Sequence, residues 1–198
     1  MAMSFYDINF AIKIRIMIIA SQKRKENIAE YLLYMWQIED LIRANNLDVD
    51  KIEQNIISLY NLPAEDHNKM IEWYESLIDM MRREDVVASG HLQLNKNIII
   101  QLNELHSTLL NDSRFSEYSV VFYKTLPFIV ELRAKAKNNK VGEIETCFTA
   151  LYGYLLLKLQ KKELTNDTQN ALKQISKFIS ILAHYYKLDI EDKLFTND

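Results

Sequence analysis

Glycine, proline and cysteine are scarce in this 198-residue chain, which holds three, two and one of them. Many-stranded sheets need tight turns, and tight turns draw on glycine and proline. Their scarcity excludes a turn-rich β architecture and favours long helices joined by few loops. The lone cysteine, Cys147, has no second thiol to pair with, so a reducing cytoplasm is the expected setting. An excess of one charge is missing too: 24 basic residues face 27 acidic ones, for a net charge of −3. A dedicated nucleic-acid binder needs a clear basic excess, so nucleic acid is not an expected partner. No run approaches the ~18 apolar residues of a membrane helix. The longest, Phe148 to Leu157, stops at Lys158 and is expected to be a buried core helix rather than a membrane segment.

What is present is a globular composition, 48% hydrophobic and 26% charged. A chain of this length buries roughly 70% of its unfolded surface and needs no disulfide or metal staple. The expected fold is all-α: a single-domain antiparallel bundle of about seven helices spanning 22–188. Residues 1–21 are expected to be a poorly ordered leader or extension. Lys13 and Arg15 interrupt its apolar run, which does not suit a signal peptide. The helical pattern begins just after Met17, which makes Met17 a candidate start. Residues 189–198 form an acidic tail that is expected to fray.

Apolar residues returning every three or four positions mark the helices. The first, about 22–45, carries Ile28, Tyr31, Leu32, Met35, Ile38 and Ile42 and ends at Asn45-Asn46. The second, about 49–60, has Asp50 and Glu53 at capping-box spacing and a stripe of Ile52, Ile56, Leu59 and Tyr60. The third, about 64–85, follows Pro63 and turns Met70, Trp73, Leu77, Ile78 and Met81 inward. The fourth, about 90–111, takes Ser89 as N-cap and carries Leu94, Ile98, Leu102, Leu105 and Leu109. The fifth, about 116–138, takes Ser116 as cap and holds Pro127, where a kink or break is expected. The sixth, about 141–161, has the stripe Ile144, Phe148, Leu151, Leu155 and Leu159, widened by Tyr152 and Leu156, and is expected to be the most buried. The seventh, about 166–187, is capped by Thr165 and carries Leu172, Ile175, Phe178, Ile179 and Leu182.

Several chemistries lack their motifs. Gly90, Gly142 and Gly153 are too dispersed for a phosphate-cradling loop. No Gly-x-Ser-x-Gly elbow occurs. His67, His91, His106 and His184 have no carboxylate three residues before them and no His, Asp or Glu four residues away. Local spacing therefore builds no ferritin-type or histidine-based metal site, and each histidine is expected to be a surface or hydrogen-bonded residue.

Three features stand as candidates. Glu72, Glu75 and Asp79 share one helix face, where carboxylates could hold a divalent metal, against the simpler reading of a solvated face. Glu72-Trp73-Tyr74-Glu75 resembles half of the Glu-x-x-Glu…Glu-x-x-Asp signature of all-α nucleotide pyrophosphohydrolases, but no Glu-x-x-Asp follows. Arg133, Lys135, Lys137 and Lys140 make a basic turn beside the start of the sixth helix, an anion- or RNA-binding candidate against an ordinary polar turn. Trp73-Tyr74 and Tyr185-Tyr186 are adjacent aromatic pairs. Neighbours on a helix lie about 100° apart, so one ring of each pair is expected at an edge or an interface. Cys147, Ala150 and Gly153 form a small-residue row. A helical glycine costs about 1 kcal/mol relative to alanine, and close approach of another helix is the expected compensation.

The segments SQKRKENIAEYLLYMWQIEDLIRANNLDVDKIEQ (21–54), EWYESLIDMMRRE (72–84), GHLQLNK (90–96) and YKTLPFIVELRAKAKNNKVGEIETCFTALYGYLLLKLQKKEL (123–164) carry a resemblance. Over residues 17–188 the chain resembles an uncharacterised Bacteroidetes-type all-helical family, a domain of unknown function. The resemblance implies a stand-alone bacterial helical protein whose chains begin near Met17, and residues 1–16 depart from that pattern. It implies no activity and transfers no site residue.

The function itself is unknown at this level. The leading expectation is a non-catalytic cytoplasmic protein-interaction module without cofactor, binding a protein partner or forming a homodimer. The alternatives are a metal-dependent small-molecule hydrolase on the acidic face and anion or RNA binding at the basic turn.

Overall fold

The computed structural model describes residues 23, 24, 26–60, 62–136 and 141–195. Among them are seven α-helices, two short 3₁₀ turns and no strand. The helices are α1 (Ile28–Ala44), α2 (Val49–Asn55), α3 (Ala64–Arg83), α4 (Gln93–Asn111), α5 (Ser116–Ala136), α6 (Glu143–Leu159) and α7 (Asn166–Ile190). The expected leader, residues 1–21, lies outside the described residues.

The chain divides into two compact units, residues 1–26 with 30–96 and residues 27–29 with 97–198. In the first, the α1 stripe predicted from spacing is buried at Tyr31, Leu32, Met35, Ile38 and Ile42. Ile52, Met70, Leu77, Ile78 and Met81 are buried as predicted from α2 and α3. Helix α1 ends in a left-handed turn at Asn46 and Leu47, with the Leu47 N–H donating to the Ile42 carbonyl at 3.0 Å. The cap of α2 is Asp48, not Asp50: its carboxylate accepts from the Asp50 and Lys51 N–H groups at 3.1 and 3.3 Å. That helix stops at Asn55, and the predicted stripe residue Leu59 sits in the 3₁₀ turn Ile57–Tyr60, 74% exposed.

The start of α4 is also corrected. It begins at Gln93 rather than beside Ser89. Its first N–H groups are satisfied by distant carboxylates, Glu39 for Leu92 and Glu84 for Gln93. Gly90, at φ 88°, lets the preceding loop turn, and Arg43 holds that loop through the Val86 and Gly90 carbonyls.

In the second unit α5, α6 and α7 pack on one another pairwise. Asp112 caps a 3₁₀ turn (Ser113–Phe115) that runs directly into α5, so Ser116 is helical and not the cap. Helix α5 continues through Pro127 as one helix, so of the expected kink or break the break does not occur. Its inner face is Tyr118, Phe122, Thr125 and Ile129, whereas Pro127 is exposed. The backbone bond that proline removes therefore lies on the solvent side of the helix, where the freed carbonyl is open to water. Thr125, fully buried, donates to the Val121 carbonyl and accepts from Gln174 of α7 at 3.1 Å. Helix α7 extends to Ile190, and beyond it Phe195 lies 6.1 Å from the Phe115 ring with Arg114 over it at 5.0 Å.

Candidate functional site

Helix α6 departs furthest from expectation. Only Ile144, Thr146, Cys147 and Phe148 are buried; from Leu151 onward every residue keeps solvent contact. Tyr154 is 38% exposed and the predicted core residue Leu159 is 68% exposed. A helix that is apolar all round belongs in a core. Here its C-terminal half instead forms one wall of a groove.

That groove lies within the second unit, between α5, α6 and the start of α7, and encloses about 520 Å³. Phe128 and Leu132 of α5, Leu157 of α6 and Leu172 of α7 give it apolar walls, and Ala150 and Gly153 keep its α6 side low. Gly153 is the informative residue. A Cβ built there meets no atom within 4 Å, so the predicted close helix approach is absent. The glycine's helical cost of about 1 kcal/mol relative to alanine is left without an intramolecular contact to offset it. At the rim stand Glu131 and Lys135, paired at 2.6 Å, with Thr165 and Asp167.

Beside the groove α5 carries a second apolar stripe facing outward. Val120, Tyr123 and Val130 are 51%, 63% and 56% exposed, and Pro127 and Ala134 are exposed with them. Steps of three, four, three and four place all five on one face. The inner stripe already accounts for helix formation, and within the unit the outer stripe adds a ring contact of Tyr123 with Phe122 at 5.3 Å.

The polar clusters are closed largely among their own members, although the buried Asn95 Oδ1 finds no hydrogen-bond partner. Glu39 is fully buried and accepts from His91 Nδ1 at 2.6 Å, Leu92 N–H at 2.9 Å and Asn95 Nδ2 at 2.7 Å. Trp36 stacks on the His91 ring at 4.0 Å and 11°. In the second unit His106 Nδ1 lies 2.6 Å from the Tyr118 hydroxyl, ringed by Phe122 and Phe178. Burial lowers the His106 imidazole below its usual range, opposed by the Glu143 carboxylate. Burial also pushes the Cys147 thiol up to about 12, which makes it a poor nucleophile. Both histidine partners are distant in sequence, so local spacing gave no sign of them.

The sequence-derived candidates are not brought together. Glu72, Glu75 and Asp79 are exposed, and Asp79 pairs with Arg82 at 3.7 Å and Arg83 at 3.5 Å. Glu75 and Asp79 border a polar depression of about 620 Å³ with Asp48 and Arg82, whose guanidinium supplies the counter-charge. Among the described residues no group of three or more His, Cys, Asp or Glu is placed to hold a metal ion. In the basic turn Arg133 is spent tying α5 to α6, through Glu143 at 3.0 Å and Thr146 at 3.2 Å. Lys135 pairs with Glu131, and Lys137 and Lys140 lie outside the described residues. Tyr74 is fully buried, so it is core rather than interface, while Trp73 keeps partial exposure; the inward reading of Trp73 is thus exchanged for Tyr74. Tyr185 meets Phe115 and Tyr118 edge-on, and Tyr186 donates to Gln101 at 2.8 Å, so both serve the second unit internally.

Sequence reasoning missed the groove and the outer α5 stripe. The signal available was the unbroken apolarity of Phe148 to Leu157 together with a glycine inside it. Among the described residues no helix is long and apolar enough to cross a membrane. No curated protein and no solved structure matches the chain. Residues 17–193 match the family described as a domain of unknown function (DUF4924), and the chain belongs to that family.

Proposed function

We propose that this protein is a non-catalytic cytoplasmic interaction module whose second unit receives an apolar surface of a protein partner in the α5–α6–α7 groove. The observation that carries this reading is Gly153, a helix-interior glycine on an apolar wall with open space in front of it. A glycine there lowers the wall for an incoming side chain, and Leu157, Leu132 and Phe128 supply the apolar floor that a helical partner would cover. The mixed rim of Glu131, Lys135 and Asp167 suits the polar border of such an interface. The inert Cys147 and the enclosed His106 support the absence of catalysis. A reducing compartment suits a chain with one unpaired thiol.

The test is site-specific photo-cross-linking in cells. A photoreactive residue at Tyr154 should give one discrete adduct, and the same residue at exposed Thr108 should not. Gly153→Phe, whose Cβ meets no neighbouring atom and whose ring would occupy the groove, should abolish the adduct. Equal cross-linking from both positions, or an adduct indifferent to Gly153→Phe, would overturn the proposal.

A further inference from the structure

The outer face of α5 names a partner more narrowly, on the footing that the second unit is an interaction surface. We propose that a second copy of this chain docks on it, α5 against α5 in antiparallel register about a two-fold axis. Tyr123, Pro127, Val130 and Ala134 occupy the a and d positions of a heptad, the pattern with which one helix packs its side chains between those of another. Such a seam is self-complementary only if one register satisfies both shape and charge, because a two-fold interface presents the same patch twice.

One register does so. With the axis passing α5 between Phe128 and Ile129, bulky Tyr123 faces small Ala134 of the second copy, and Pro127 faces Val130. The seam then has four layers, large against small at its ends. The same register sets Lys124 opposite Glu131 of the second copy, and the two-fold repeats that pair. Lys124 is exposed, and Glu131 is 60% exposed on its side chain and held only by Lys135 one turn on. Shifting the antiparallel register by one heptad brings Lys124 against Lys124 and Glu117 against Glu131, which like-charge repulsion disfavours. Pro127 suits a seam position, because its rigid ring brings surface to the contact without adding side-chain entropy to lose.

The experiment is light scattering coupled to size exclusion, from low micromolar to near-millimolar chain, with a charge-reversal cycle. The wild type should pass from the 23.4 kDa monomer mass toward twice that value. Lys124→Glu and Glu131→Lys should each weaken dimerisation about tenfold, since each turns two attractive pairs repulsive. The double variant should restore it. Both sites are exposed, and circular dichroism should show unchanged helix content in all three variants. A double variant no better than the singles, or singles without effect, would overturn the antiparallel register and the proposal with it. A wild-type monomer throughout that still gives the Tyr154 adduct would overturn self-pairing alone. A monomer without that adduct would overturn the interaction reading as well.

Discussion

Removing the Glu39 carboxylate is the sharpest perturbation of the first unit. Glu39 is fully buried and accepts three hydrogen bonds, from His91 Nδ1, the Leu92 N–H and Asn95 Nδ2. Glu39→Ala leaves all three donors without their acceptor. Each unsatisfied buried donor costs about 1–3 kcal/mol, but the sum is reduced by water entering the space and by the exposed edge of His91. Breaking buried charged networks from one side costs about 3–5 kcal/mol, and that is the expected loss. Glu39→Gln keeps the volume and an acceptor oxygen for Leu92 and Asn95, and its amide can donate to a His91 ring nitrogen. It should cost about 1–2 kcal/mol. Urea unfolding followed by circular dichroism measures both variants, with total stability of roughly 5–15 kcal/mol as the scale. A loss below about 1 kcal/mol for Glu39→Ala would refute the reasoning, because it would mean the three donors find water as easily as the carboxylate.

Gly153→Ala should raise stability by about 1 kcal/mol in thermal unfolding, since its new methyl meets nothing and the helix loses its weakest residue. Pro127→Ala should stabilise by about 1–3 kcal/mol, because it restores the bond to the Tyr123 carbonyl within a continuous helix; a destabilised variant would contradict the solvent-facing placement of that ring. The folded-state pKa of His106 is lowered, so below its ordinary value of 6.5 the unfolded chain binds a proton that the folded chain refuses. That residue's contribution is fully present above the unfolded value and fades as pH falls through it. His106→Gln, which can still bond the Tyr118 hydroxyl, should therefore flatten the decline of urea midpoint between neutral and mildly acidic pH relative to wild type.

Periodicity carried most of the fold. Ile98, Leu102, Leu105 and Leu109 are buried in α4, and Ile175, Phe178, Ile179 and Leu182 in α7, because a repeat of three and four names the face that must leave water. It does not name what that face meets. Leu159 continues the α6 stripe faultlessly and is nonetheless 68% exposed. Helix α5 hid its outer stripe differently: apolar residues on two opposite faces blur the contrast that marks an amphipathic helix. Long-range polar partners leave no local trace either. Glu39 and His91 are 52 positions apart, and the caps of α4 come from Glu39 and Glu84 rather than from the serine beside it. Of the candidates read from spacing, the fold pairs Asp79 of the acidic row with Arg83, and Arg133 and Lys135 of the basic turn with Glu143 and Glu131.

The most direct measurement is hydroxyl-radical footprinting of Tyr123, Tyr154 and Leu157, comparing dilute purified chain with chain in extract from its own cells. An uncovered α5–α6 face that awaits a partner predicts strong labelling when dilute and clear protection in the extract, with exposed Ile100 labelled alike in both. Equal labelling of all four residues under the two conditions would contradict the account.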